Sequence, residues 1–344
     1  MLVDTISEPQ SIVAVVFAFL GNIVAIITSL DVNGFNVEKF QRASFTSSNC
    51  ELSYVDFGHA DKPDLVILHG MRDHALSMVG IAQSLDDYHV IALDLRGHGQ
   101  SENPGVYTMV QFVADVHALI EHCQLDRPVL IGHSLGGHIA GRYAAIYPQQ
   151  VSKLVLLDGM GPPVDVDGGE QEPAELRARL REGIDTVLTL GNESRSMADE
   201  TEAMMRLTRN NPRLQTELAR MIVTHGTEPH ADGGIRWNWD PAVHMIWHTF
   251  SHKETETLWG WIECPVLIIT GDDSLEYWTQ RRTELKDQDE LYLSILEKRE
   301  KIFRQAQHHV IPDAGHMLHY DQPEAINTIV TEFLLEGQPT SDRQ

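Results

Sequence analysis

The chain is poor in positive charge and in cysteine, and both shortages exclude classes of protein. Lysine and arginine number 26 against 50 aspartates and glutamates, so the formal net charge at pH 7 is -24. Such an acidic surface repels phosphate backbones and anionic headgroups, so we expect neither nucleic-acid binding nor electrostatic membrane binding. Cys50, Cys123 and Cys264 are odd in number and far apart, which predicts reduced thiols in a cytoplasmic environment.

Metal-binding spacings are also missing, although histidine is abundant. The 18 histidines occur without an H-E-x-x-H pattern or a paired Cys-x-x-Cys motif, which are the spacings typical of metal sites. We therefore expect no metal and no organic cofactor. The sequence also contains no internal repeat and no low-complexity tract.

Residues 11–30 form an uncharged apolar run long enough to cross a bilayer as a helix. Asp4 and Glu8 precede it without any lysine or arginine, which argues against a signal peptide. Two interpretations of residues 1–36 stay open. The segment either anchors a cytoplasmic protein to a membrane, or is a hydrophobic extension that packs on the following domain, mediates association or comes from a misplaced start.

From about Val37 onwards, short apolar runs alternate with helical stretches, as in an α/β sheet. The runs Asp64–His69 and Tyr88–Asp94 read as buried parallel strands that end in polar loops containing glycine. Open α/β sheets bind ligands at the carboxyl ends of such strands. The sequence therefore predicts one crevice where these loops meet.

The stretch Gly132-His133-Ser134-Leu135-Gly136 matches the G-x-S-x-G nucleophile elbow. Val129–Ile131 before it reads as a strand, and Ile139–Ile146 after it reads as a helix with small residues. In this strand-turn-helix setting a serine is exposed on a tight turn, so Ser134 is the candidate nucleophile.

Strand-type periodicity disappears between Gly159 and about Gly260. A mainly helical stretch of this length between two core strands predicts a cap inserted over the crevice. We expect residues 37–160 and 261–336 to form the core, residues 161–260 the cap, and residues 337–344 a polar tail.

Four motifs follow one another along the chain, namely His69-Gly70, Asp94-Leu-Arg-Gly-His-Gly-Gln-Ser101, Gly132-His-Ser-Leu-Gly-Gly137 and Ala314-Gly-His-Met-Leu-His319. In this order they resemble the α/β-hydrolase superfamily, in particular its cap-bearing serine hydrolases, which include esterases, lactonases and carbon-carbon bond hydrolases. The resemblance runs from about residue 37 to 336 and implies a mostly parallel eight-stranded sheet with helices on both faces.

The resemblance and the chemistry assign the same roles. A serine hydroxyl needs a neighbouring imidazole to remove its proton, and His316 after Gly315 matches the family's base better than His319 does. The oxyanion of the tetrahedral intermediate needs donors, which in this fold are backbone N–H groups, here those of Met71 and Leu135.

The acid that orients His316 stays open between two positions. Gly271-Asp-Asp-Ser274 has serine where most relatives carry the aspartate, so Asp273 is one candidate, with Asp272 behind it. Asp158 is the other, because it ends the strand after the elbow helix and some relatives carry the acid there.

The expected function is hydrolysis of a carboxylic ester or related acyl bond through an acyl-serine intermediate. His69, Gly70, Trp237 and Trp239 are candidates for the substrate pocket, and the tryptophans suggest a mainly apolar small-molecule substrate unless they are cap core. The alternatives are a carbon-carbon bond hydrolase and a catalytically silent, receptor-like protein that binds a small apolar ligand. The oligomeric state is not predicted.

Overall fold

A ten-stranded sheet organises the part of the chain that the computed structural model describes, namely residues 15–19, 22–26, 40–161, 173–189, 196–231, 233–279 and 289–336. The strands are β1 (Val15–Phe19), β2 (Asn22–Ile26), β3 (Gln41–Ser47), β4 (Cys50–Asp56), β5 (Asp64–Leu68), β6 (His89–Leu93), β7 (Val129–His133), β8 (Leu154–Leu157), β11 (Val266–Gly271) and β12 (Ala306–Ile311), while β9 (Thr227–Pro229) and β10 (Ile235–Trp237) form a separate hairpin.

The sheet is parallel on one side and antiparallel on the other. Its spatial order is β1-β2-β3-β4-β6-β5-β7-β8-β11-β12, and all pairings from β6 onwards are parallel. The strands β3 and β4 add to β6 in antiparallel fashion. The eight strands from β3 to β12 therefore form the predicted mostly parallel sheet, and the predicted fold class is confirmed.

Where the structure describes the apolar N-terminal run, the run forms strands and not the helix that a membrane anchor requires. β1 and β2 pair antiparallel, and β2 joins the sheet through Ala25 opposite Arg42 and Ile26 opposite Gln41. Valine and isoleucine fill much of both segments, and β-branched residues favour strands. Within the described ranges no helix has both the length and the apolar character of a membrane span. The rest of residues 1–36, and the predicted tail at 337–344, lie outside the described residues.

Helices cover both faces of the sheet because successive side chains of its strands point to opposite sides. In β5, for example, Leu65 and Ile67 belong to one buried apolar cluster and Val66 and Leu68 to another. The helices are α1 (Val79–Ala82), α2 (Met109–Cys123), α3 (Leu135–Ile146), α4 (Pro173–Thr189), α5 (Glu200–Asn210), α6 (Thr216–Gly226), α7 (His252–Trp259), α8 (Ser274–Thr279), α9 (Asp289–Glu300), α10 (Leu318–Asp321) and α11 (Pro323–Leu335), with 3-10 helices at Ala75–Met78, Pro148–Gln150 and Pro241–His248.

Between β8 and β11 the described residues form α4 to α7, the β9–β10 hairpin and one 3-10 helix. We call this region the insertion. It is held to the core in part by Tyr107, whose hydroxyl donates to Asp240 at 2.6 Å, and by the Asp240 N–H, which donates to the Gly97 carbonyl at 2.8 Å.

Asp94, directly after β6, contacts three other parts of the chain through its carboxylate. Its carboxylate accepts hydrogen bonds from the backbone N–H groups of Ala75 and Gln100 at 2.7 and 3.1 Å, and it pairs with Arg42 of β3. Burial alone would raise the pKa of Asp94, but the Arg42 guanidinium is the largest opposing influence, and the pKa falls to about 2. The folded protein therefore favours the ionised carboxylate.

We predict that Asp94→Asn destabilises the protein by about 2 kcal/mol at neutral pH, since a lowered pKa is stabilisation gained by the folded state. The urea midpoint of wild type should exceed that of the variant by a constant amount above about pH 4. This difference should become smaller as the pH falls towards 2, where wild-type Asp94 takes up its proton. An undiminished difference at the lowest accessible pH would show that the charge is not its cause.

Candidate active site

Ser134 lies at the turn between the central strand β7 and helix α3. Its φ of 50° and ψ of -113° are values that side-chain-bearing residues rarely adopt. The strand ends at His133 and the helix begins at Leu135, so the turn consists of the serine alone. This geometry lifts the serine hydroxyl clear of the sheet edge.

Two glycines allow this turn to form. A Cβ atom at Gly136 would lie 2.1 Å from the carbonyl oxygen of Leu68 on β5, and one at Gly132 would lie 2.4 Å from the Gly136 carbonyl oxygen. Any side chain at either position would overlap backbone, which cannot move aside easily. The glycines of the motif are thus required by close backbone approach.

The structure brings Ser134, His316 and Asp158 together in one line of hydrogen bonds. Nε2 of His316 lies 3.0 Å from the Ser134 Oγ, and Nδ1 of His316 lies 2.6 Å from the Asp158 Oδ2. Both His316 and Asp158 are buried. An imidazole held in this way can accept the hydroxyl proton while the carboxylate accepts its Nδ1–H.

The two other candidate acids lie elsewhere. The Asp273 carboxylate accepts a hydrogen bond from Arg213 of the insertion at 2.7 Å, and Asp272 accepts the backbone N–H of Ala314 at 3.2 Å. Asp158 follows β8, and its own N–H donates to the Ile269 carbonyl at 2.8 Å. Of the three aspartates, Asp158 is the one in contact with His316.

His319, the competing base, lies beside the site. Its ring is buried and its centroid is 4.5 Å from that of His133. Burial, together with the neighbouring His316, lowers the pKa of His319 to about 3. Among the described residues neither of its ring nitrogens has a hydrogen-bond partner, so it makes no hydrogen bond with Ser134.

Ser134 and His316 open onto a cavity of about 590 Å³. Gly70 and Met71 line it, as do Trp237 and Trp239 of the insertion. The Leu135 side chain is buried, but its N–H is at the first turn of α3, where helix N–H groups have no partner within the helix. The Leu135 N–H thus follows the serine directly, and Met71 lines the same cavity as Ser134.

The cavity wall is more polar than the sequence suggested. The expected apolar pocket was inferred from the tryptophans, but they share the wall with many charged and amide side chains. These are Arg72, Asp73, Arg206, Asn210, Asn211, Arg213, Asn238, Asp273, Glu276 and Asp321.

His69 is not available to a substrate, contrary to expectation. It is fully buried, its Nδ1–H donates to the Gly70 carbonyl at 2.7 Å, and its Nε2 accepts the Leu95 N–H at 3.0 Å. Burial lowers the pKa of His69, which suits this neutral form. The residue joins the loops after β5 and β6.

Three side chains near the reacting groups escaped the sequence analysis. The Tyr277 ring stacks on His316, with centroids 4.0 Å apart. Asp73 lines the cavity and accepts the Tyr320 hydroxyl at 2.8 Å, and burial raises its pKa. His133 contacts His316 directly. The position of His133 next to Ser134 was the one available signal, since the other contacts join distant segments.

No group of three or more histidine, cysteine, aspartate or glutamate side chains is arranged as metal ligands within the ranges that the structure describes. Some of the charged groups of the cavity wall form ion pairs. Arg213 lies 2.7 Å from Asp273 and 3.6 Å from Asp321, and Arg206 pairs with Glu202.

Comparison with known proteins agrees with the fold. A family model described as the alpha/beta hydrolase fold matches residues 63–323. The serine hydrolase-like protein of Mus musculus is 26% identical over 287 residues, covering 81% of this chain and 90% of that protein. Esterase YbfF of Escherichia coli is 25% identical, with 80% and 94% covered. The solved thioesterase domain from the curacin biosynthetic pathway superimposes with a TM-score of 0.70 at 21% identity, covering 85% of this chain and 99% of that domain.

We predict that Gly136→Ala destabilises the protein by about 3 kcal/mol or more, because the new methyl group would collide with the Leu68 carbonyl. Gly80→Ala is the matched control, since a Cβ there meets nothing within 4 Å, and it should change stability by less than about 1 kcal/mol. Urea unfolding of both variants measures the difference. Equal effects would disprove the close approach at the turn.

Proposed function

Since the chain belongs to the alpha/beta hydrolase fold family, whose named relatives here include an esterase, we propose that it hydrolyses a carboxylic ester or related acyl bond through an acyl-serine intermediate. The observation that carries the proposal is the line of hydrogen bonds from Ser134 through His316 to Asp158, opening onto a cavity. Nucleophile, base and orienting acid are the three groups that such chemistry needs.

In the proposed first half-reaction, the Ser134 Oγ attacks the substrate carbonyl carbon while His316 Nε2 takes the hydroxyl proton. The carbonyl oxygen becomes an oxyanion and accepts hydrogen bonds from the N–H groups of Met71 and Leu135. The intermediate collapses, the bond to the alcohol breaks, and His316 returns the proton to the leaving oxygen. An acyl ester on Ser134 remains.

The second half-reaction repeats these steps with water. His316 accepts a proton from water as its oxygen attacks the acyl carbon, and the Ser134 Oγ leaves with that proton. The carboxylic acid departs and the enzyme is restored. Throughout, Asp158 keeps the Nδ1–H of His316 directed at itself, which leaves Nε2 free to face the serine.

We propose a small to medium-sized substrate with hydrogen-bonding groups, covered by the insertion as a cap. The volume of about 590 Å³ and the charged and amide side chains of the wall support this. Trp237 and Trp239 offer flat apolar surfaces beside these polar groups, so an amphipathic acyl or alcohol group fits better than a purely aliphatic one.

Ser134→Ala should abolish turnover of p-nitrophenyl esters and labelling by a fluorophosphonate, since loss of a covalent nucleophile costs several orders of magnitude. His316→Ala should behave alike, and His319→Ala should retain activity. If wild type neither hydrolyses any ester of a chain-length series nor reacts with the label, the protein is a silent binder and the proposal fails.

Asp158→Asn should lower kcat by about three to four orders of magnitude with little change in KM, because the wrong imidazole tautomer then faces the serine. Asp273→Asn and Asp272→Asn are the matched controls, and each should stay within about tenfold of wild type. If kcat fell by orders of magnitude in Asp273→Asn and only slightly in Asp158→Asn, the acid would be Asp273 and not Asp158.

A further inference from the structure

His133 lies where the three segments of the candidate site meet. It is the last residue of β7 and precedes Ser134. Its ring nitrogen Nδ1 is 2.6 Å from where a Cβ of Gly70 would be, so the ring packs directly under the loop that carries Met71. Its Nε2 lies 2.9 Å from the backbone carbonyl oxygen of His316.

The hydrogen bond to His316 defines the state of the His133 ring. A carbonyl oxygen only accepts, so Nε2 must carry the proton and donate. Burial, with His319 and His316 nearby, holds the pKa of His133 well below its ordinary value. Nδ1 is then an unprotonated nitrogen, and it has no hydrogen-bond partner in the part of the chain that the structure describes.

The segment that carries His316 lies between β12 and α10, outside any helix or strand. Before His316 the segment is anchored by the Ala314 and Gly315 N–H groups, which donate to Asp272 and Asp321 at 3.2 and 2.8 Å. The Ala314 carbonyl also accepts the Asp273 N–H at 2.9 Å. At His316 itself the backbone anchor is the bond from His133. That bond comes from the buried strand β7, which has a hydrogen-bonded strand on each side.

We propose that His133 is a positioning residue, whose Nε2–H holds the His316 backbone so that the imidazole stays between Ser134 and Asp158. The inference rests on the proposed function, in which His316 is the base. A shift of about 1 Å in a reacting group can cost a hundredfold in rate. Because His133 directly precedes Ser134 in the chain, its hydrogen bond fixes the position of the base relative to the nucleophile.

Three variants separate the hydrogen bond from the packing. His133→Gln carries an amide nitrogen about as far along the side chain as Nε2, so it can still donate to the His316 carbonyl. His133→Asn keeps an amide that is too short to reach it, and His133→Met has similar length without a donor. We expect kcat for a p-nitrophenyl ester to fall about a hundredfold in the Asn and Met variants and less than tenfold in the Gln variant, with KM little changed.

A second readout does not depend on turnover. The short hydrogen bond between His316 and Asp158 should give a far-downfield imidazole N–H proton in the NMR spectrum, present in wild type and His133→Gln and lost from the other two variants. Thermal unfolding checks that each variant is folded, and if His133→Met is not, His133→Asn decides alone.

The proposal is overturned if His133→Asn keeps both the resonance and a kcat within threefold of wild type. It is also overturned if the Gln variant loses as much as the Asn variant, which would indicate packing alone. If wild type lacks esterase activity and fluorophosphonate labelling, the proposed function fails, but the downfield resonance still tests whether His133 holds His316.

Discussion

The close approach of the Gly136 backbone to the Leu68 carbonyl is the constraint on which the rest of the site depends. With no side chain between them, α3 starts directly against β5, and the single residue left to turn the chain is Ser134. The same contact brings the loop after β5, with Gly70 and Met71, beside the serine. The lack of a side chain at Gly136 therefore sets the position of the proposed nucleophile relative to the proposed oxyanion donors.

Local signals made most of the core predictable. The start of α2 is marked by Thr108, whose side chain accepts the Gln111 N–H. The helix α11 begins at a proline, a residue that is common at the first helical position. Apolar runs in the sequence indicated the buried strands, and the glycine-containing motifs indicated Ser134 and His316 as the candidate nucleophile and base.

What could not be predicted depends on contacts between distant segments. Choosing among Asp158, Asp272 and Asp273 required knowing which carboxylate faces His316, and all three sit in strand-end loops. The polar character of the cavity wall could not be predicted for a similar reason. Arg206 and Arg213 belong to the insertion, and only the folded chain brings them into one cavity with residues of the core. For β1 and β2, a run of valine, isoleucine and alanine satisfies both a membrane helix and a strand, so composition alone favoured neither.

The proposed acid, Asp158, follows β8, whereas Asp272 and Asp273 lie in the loop after β11. β7 and β8 are hydrogen-bonded neighbours, and the Ser134 N–H donates to the Leu157 carbonyl at 3.0 Å, one residue before Asp158. In this assignment the loop after β11 supplies no side chain to the proposed triad, and its Asp273 contacts Arg213 of the insertion instead. Substitutions at Asp273 and in the insertion can therefore change the cavity wall without replacing a member of the proposed triad.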